Sequence, residues 1–288
     1  MALFPMMHVM LTWASALMVS AADIELSKDD TRITADTRIK PGTYHIGDTQ
    51  ADGAVQISGD GITVDFAGAE LIGAPEDAAP DSFSGRGIVI RGKQITLRNA
   101  KVRGYKVGIY AENAPGLVIE DVDVSRNYQQ RLKSTPERED GADWLFPHNN
   151  DDQEWTKDHG AGISIARSDG ITIRRVRAHN GQNGILLDRV NDSKIYDNDC
   201  SFLSGWGLGL WRCNRNVISR NAFDFCVRGY SHGVYNRGED SAGILMFEQN
   251  NDNVIAENSA THGGDCFFGF AGREALGEDW LDRERERL

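Results

Sequence analysis

Cysteine and proline are scarce in this chain, basic residues are outnumbered by acidic ones, and beyond residue 22 there is no long apolar run. Each scarcity excludes something. The four cysteines, Cys200, Cys213, Cys226 and Cys266, form no CxxC pair, so a zinc ribbon or a dense disulfide scaffold is not encoded. With 31 Lys and Arg against 43 Asp and Glu, the formal net charge is −12. A phosphate backbone demands a basic face, so this balance argues against a general nucleic-acid binder. Without a second apolar stretch, nothing after the first 22 residues could span a bilayer.

Those first residues, MALFPMMHVMLTWASALMVSAA, are apolar and end in small residues before Asp23. This is the pattern of a secretory signal peptide, although the usual basic start is missing. Segment 1–22 is therefore expected to be removed on export, leaving a periplasmic or secreted protein with no membrane span.

Glycine is plentiful, and it recurs. Runs of the form G-[IL]-x-[ILM] open at Gly87 (less perfectly), Gly108, Gly162, Gly184, Gly207 and Gly243, with a weaker GGDCFF at Gly264. The intervals are 21, 54, 22, 23, 36 and 21, so two of them equal one period plus an insertion. About eleven residues after each glycine comes a second apolar position: Leu97, Ile119, Ile173, Ile195, Ile218 and Ile255. Within GISIA or LVIED the apolar residues alternate at i and i+2, the strand period, and the runs are too short for helices. Short strands at a fixed period near 22 cannot bury an apolar face singly but can do so when stacked. The fold expected is all-β, a single-stranded parallel β-solenoid of 21–23 residues per coil. Asn198, Asn221 and Asn258 fall in register and are expected to form an amide ladder at an inward corner.

The coil pattern, together with RIKPGTYHI and VQISGDGITVDFAGAELIG between Arg38 and Gly73, resembles the right-handed parallel β-helix proteins of the pectate-lyase superfamily. The repeats shared by carbohydrate-binding proteins, sugar hydrolases and NosD are especially similar. The resemblance spans Arg38 to Phe270 and implies a right-handed β-helix; it does not select an activity, because lyases, hydrolases, epimerases and non-enzymes share this scaffold. The division expected is a lead-in or cap over 23–60, the β-helix over 61–270 with inserted loops 128–160 and 227–242, and a charged tail over 271–288.

A β-helix fills its core with side chains, so function is expected on outer faces and in loops. Both insertions interrupt the same corner, and at about 4.8 Å per coil they would stand roughly 14 Å apart, walling a groove. Alternation turns Ile163, Ile165, Ile185, Leu187, Leu208, Leu210, Ile244 and Met246 inward, leaving Ala166, Asp188, Trp211 and Phe247 as an outward column. Arg167, Arg189, Arg212 and Glu248 follow it. An aromatic face stacks on sugar rings, and forked charged groups bind hydroxyls or carboxylates. Asp188, Arg189, Trp211, Arg212 and Glu248 are thus the candidate substrate-binding residues; burial of Trp211 under a loop, with Asp188 paired to an arginine, is the competing arrangement.

The loops supply His159, His232, Tyr235, Arg237 and Asp240 as candidate catalytic residues. A His, a Tyr and an Arg suit proton abstraction beside a uronate carboxylate, and paired carboxylates suit glycosidic hydrolysis. From Gly162 to Arg220, nine basic residues stand against five Asp, which favours an anionic substrate or else ordinary solvation. No metal set stands out and no cofactor is expected; NNDDQE at Asn149–Glu154 offers oxygens for calcium without an ordered loop spacing. The expectation is an exported protein, monomeric, acting on a polysaccharide or oligosaccharide, uronate-containing chains among the candidates, by lyase, epimerase or hydrolase chemistry. The alternative is a non-catalytic carbohydrate-binding or accessory β-helix, NosD-like or a surface adhesin.

Overall fold

The computed structural model describes residues 22–135, 137–229 and 238–272. The expected signal segment and charged tail therefore lie almost wholly outside the described residues. Strands stack in three lines, and every pairing between strands is parallel. The first line runs from Ala22–Ile24 through Thr96–Arg98, Val118–Asp123, Thr172–Arg177 and Lys194–Tyr196 to Val254–Ala256. The second runs from Thr31–Ile33 through Val107–Glu112, Ala161–Ala166, Ile185–Asp188, Trp206–Trp211 and Ala242–Phe247 to Asp265–Phe270. The third begins as Thr43–His45, Glu70–Ile72 and Lys101–Arg103, then continues through Asp123, Arg177, Asp199, Ala222 and Ser259 as one pair per coil. The molecule is a right-handed parallel β-helix.

The counted period is the physical register. Thr172 pairs with Lys194 and Lys194 with Val217, offsets of 22 and 23. One alignment needs correction: Ala242 pairs with Asp265, so Gly243 faces Cys266 and Gly264 is not a coil-opening glycine. Residues 23–60 already pair into the sheets, with Thr31–Ile33 against Val55–Ile57.

Inside, Ile163, Ile165, Ile185, Leu187, Leu208, Leu210 and Ile244 are buried in one continuous core, with Met246 packed against its end. Cys200, Cys213 and Cys226 are free thiols filling that core, and burial pushes Cys213 and Cys226 up to about 12. The asparagine ladder is present. Asn198 Nδ2 donates to Asn221 Oδ1 at 2.9 Å, and Asn221 Nδ2 to Asn258 Oδ1 at 2.9 Å. Each amide also donates to a backbone carbonyl, Ile173 for Asn198 and Ile195 for Asn221, so the buried corner is satisfied from coil to coil.

Candidate functional site

The expected floor lies where alternation puts it, but it is roofed. Register stacks Glu112, Ala166, Asp188, Trp211, Phe247 and Phe270 in one outward column. Trp211 nevertheless keeps only 2% of its surface exposed, and Phe247 none. The first insertion folds back over them through Leu145 and the short helix Glu154–His159, forming a second apolar cluster outside the coil. Trp155 on that helix sits 4.8 Å from Trp206 and 5.5 Å from Trp211, centroid to centroid. Gly209 makes room for it, since a Cβ there would lie 3.2 Å from the Trp155 ring. The cause is the composition of the face: Leu186, Trp211, Leu245 and Phe247 together are too apolar to leave in water, and covering them gains burial free energy. Trp211 is therefore not an open sugar platform.

The polar members of the column are tied down beneath or beside this roof. Asp188 is 5% exposed, and its Oδ1 accepts from Arg189 Nη1 at 2.7 Å. Its Oδ2 has no hydrogen-bond partner, and burial raises the carboxyl above the usual range. The adjoining cavity of about 10 Å³ holds no more than a single water. Arg189 also donates to Asp151 at 2.7 Å, Arg212 approaches the same carboxylate at 3.5 Å, and Arg167 pairs with Glu112 at 2.9 Å. Glu248 continues this line, half-buried. In NNDDQE, Glu154 accepts from Asn149 and from the Asp152 backbone while Asn150 accepts from the Trp155 backbone, so much of its oxygen set closes the start of the helix.

His159 Nε2 donates to the Leu145 carbonyl at 2.7 Å, and its ring meets Trp206 edge-on at 5.7 Å. Burial, outweighing that hydrogen bond, pushes its pKa down to about 4. The Asp240 backbone carbonyl accepts from Trp206 Nε1 at 2.7 Å, so Trp206 lies between His159 and Asp240. The two insertions touch instead of standing apart: the Leu145 N–H donates to the Glu239 carbonyl at 3.3 Å, and Arg228, buried, donates to the Asp143 carbonyl and to Gln130 Oε1. His232, Tyr235 and Arg237 lie outside the described residues.

The larger concave surfaces described lie on the third line of strands, where no candidate was expected, while a cavity of about 240 Å³ borders Glu248 and Phe270 at the end of the second. A cavity of about 300 Å³ is lined by Glu70, Lys101, Arg103, Asp123, Ser125, Arg126, Arg177 and His179 among others. One of about 570 Å³, open to solvent, shares Lys101, Asp123 and Arg177 with it and adds Arg38, Asp65, Asp121 and Arg175. Another of about 320 Å³ shares Arg103, Arg126 and Asn180 with the first. The three form one groove. Pairing places Lys101 beside Asp123 and Asp123 beside Arg177, so the two cations sit two coils apart, about 9–10 Å, in one outward column.

The partners of these charges decide what the groove can do. Arg103 is held by Glu70 at 2.8 Å, and Arg175 by Asp121 at 2.7 and 2.8 Å. Among the described residues, Lys101 and Arg126 make no ion pair, and Arg177 bonds only His179 Nδ1, at 3.2 Å. On the floor His179 Nε2 lies 2.9 Å from Asp199. Elsewhere the surplus of basic residues is consumed in ladders such as Arg215 with Asp192 and Arg220 with Asp197, both at 2.8 Å. An acidic protein thus keeps three cations without carboxylate partners facing one concave surface, an arrangement suited to an anion.

The fold and this groove define a parallel β-helix with a lateral groove lined by charges of both signs, in which Lys101, Arg126 and Arg177 make no ion pair among the described residues. A family model described as periplasmic copper-binding protein (NosD) matches residues 146–262. Among solved structures, the A-module of Azotobacter vinelandii mannuronan C-5 epimerase AlgE6 is similar at 12% identity, covering 84% of this chain and 80% of that one, with a TM-score of 0.38. The AlgE4 A-module from the same organism is similar at 11% identity, covering 87% and 91%, with a TM-score of 0.31. No curated protein matches the chain significantly.

The copper in that family's description can be tested against the donors present. Among the described residues no three His, Cys, Asp or Glu side chains converge on a point that could hold a metal. The three core thiols are buried, Cys226 donating to the Cys200 carbonyl at 3.5 Å and Cys213 to the Leu187 carbonyl at 3.4 Å. These residues do not make a copper donor set.

Proposed function

We propose that this is an exported carbohydrate-binding β-helix protein whose basic groove takes an anionic, uronate-type polysaccharide. The observation that carries the reading is the trio Lys101, Arg126 and Arg177, without carboxylate partners among the described residues, around a cavity of about 300 Å³ in a chain of net charge −12. Forked or point cations recognise carboxylates, and a groove of linked cavities suits a polymer better than a compact metabolite. Export is supported by the sequence of segment 1–22 and by the periplasmic description of the family that matches residues 146–262.

A catalytic version adds lyase, epimerase or hydrolase chemistry to the same binding. It is favoured by His179, which sits between Arg177 and Asp199 on the groove floor. The test is calorimetric titration with polygalacturonate and alginate oligosaccharides, against neutral cello-oligosaccharides, at low and moderate salt. Binding of the anionic set alone, weakening as salt rises, is expected; equal affinity for the neutral set, or no binding, contradicts the reading. Absorbance from unsaturated products, and reducing ends, then separate enzyme from binder.

A further inference from the structure

The groove changes character at one end. Its central cavity is walled by charges, whereas the cavity beyond Arg126 is bounded mainly by Pro75, Ala78, Pro80 and Phe83, with Glu76 the one carboxylate in its lining. These come from a further insertion, about residues 74–85, which accounts for the 33-residue offset between Val55 and Ile88 where the uninterrupted coils that follow use 21 to 23. The insertion is pinned. The Lys106 N–H donates to Ser84 and the Gln129 N–H to Pro80, each at 3.3 Å, and Ala74 packs against Gly104, where a Cβ would come within 2.9 Å of its nitrogen. Two prolines and these contacts hold the wall in place before any ligand arrives, which lowers the entropy cost of binding.

Gln129, whose N–H is bonded to the wall at Pro80, and Asn180 line the same cavity, and their side-chain amides make no hydrogen bond among the described residues. A ring-sized space lined by an aromatic, two prolines and free amides has the chemistry of a pyranose site: C–H faces pack on the ring while hydroxyls take the amides. We infer that this cavity is a sugar subsite at the end of the groove, continuous with the basic cavity through Arg126 and filled only by chains long enough to pass it. The inference rests on the anionic-polysaccharide reading, and names where and how that chain extends.

The experiment measures affinity for a uronate series, trisaccharide to octasaccharide, in the parent, Phe83→Ala and Phe83→Tyr. In the parent, affinity rises with length as the end cavity fills. Phe83→Ala removes that gain, weakening the longest oligosaccharide by about tenfold while leaving the shortest unchanged, and Phe83→Tyr restores it. Thermal melts establish that both variants are folded. If the parent binds the series but Phe83→Ala matches it at every length, or weakens all lengths alike, the subsite is overturned while the groove stands. If the parent binds none of the series, the groove reading fails and this inference with it.

Discussion

Two outer faces of the same solenoid have opposite fates. On the second line of strands the outward column carries Trp211 and Phe247 beside Leu186 and Leu245, and an insertion has closed over it with Leu145 and Trp155. On the third line the equivalent outward column reads Glu70, Lys101, Asp123, Arg177 and Asp199, and it remains open. Both faces are flanked by insertions, so the presence of a loop does not decide which face is a site. The charge on the column does: an apolar column gains free energy by acquiring a roof, while a charged one would lose hydration under it. A loop over a β-helix can thus be part of the fold's packing, as 128–160 is, or one end wall of a groove, as 74–85 is.

The largest way to break the comparison is to remove the roof's anchor. Trp155→Ala is expected to cost about 3–5 kcal/mol in urea unfolding, because it empties the centre of the second cluster, while leaving affinity at the basic groove unchanged. A cost under about 1 kcal/mol would show that the insertion lies loosely on the face. Next comes the core that both faces share: Asn221→Leu removes an acceptor from Asn198 and a donor to Asn258, for about 1–3 kcal/mol, read by the same unfolding curves.

Acidification sharpens the comparison further, with a smaller effect. His159 is held neutral beneath the roof with a pKa near 4, below its ordinary value of 6.5. The unfolded chain takes up this proton first, so the stability His159 contributes is complete above about pH 6.5 and is lost as pH falls from there toward 4. The difference in unfolding free energy between the parent and His159→Gln should therefore shrink over that window, and a difference independent of pH would mean that the imidazole is not sealed in. Asp188 works in the opposite sense. Its raised folded pKa makes the protonated form the more stable, so its contribution fades as pH rises through that value.

How much of this was legible follows from where the information is local. The period, the inward Ile and Leu positions and the asparagine ladder are repeated in every coil, so they can be counted from the chain alone. Alternation also placed Ala166, Asp188, Trp211 and Phe247 in one column correctly; what it does not carry is whether a segment forty or more residues away, such as Trp155 over Trp211, lies above them. The groove escaped for a different reason. Its cations stand on the third, weakest strand, where Lys101, Asp123, Arg177 and Asp199 each follow an inward residue by four positions and look singly like a solvated surface. Aligned by that offset from Leu97, Ile119, Ile173 and Ile195, they make a column. Even so, only the structure shows that, among the described residues, Lys101, Arg126 and Arg177 are in no ion pair while their neighbours Arg103 and Arg175 are.

The central claim, that the charged and uncovered face is the binding face, is tested most directly by one paired titration with a uronate oligosaccharide. Lys101→Ala with Arg126→Gln disarms the open groove, and Arg189→Ala with Arg212→Ala disarms the rim of the covered face, both by removing two cations. The account predicts at least a tenfold loss of affinity for the first pair and parent-like binding for the second. Parent-like binding by the first pair with loss in the second would place the ligand on the roofed face and contradict it.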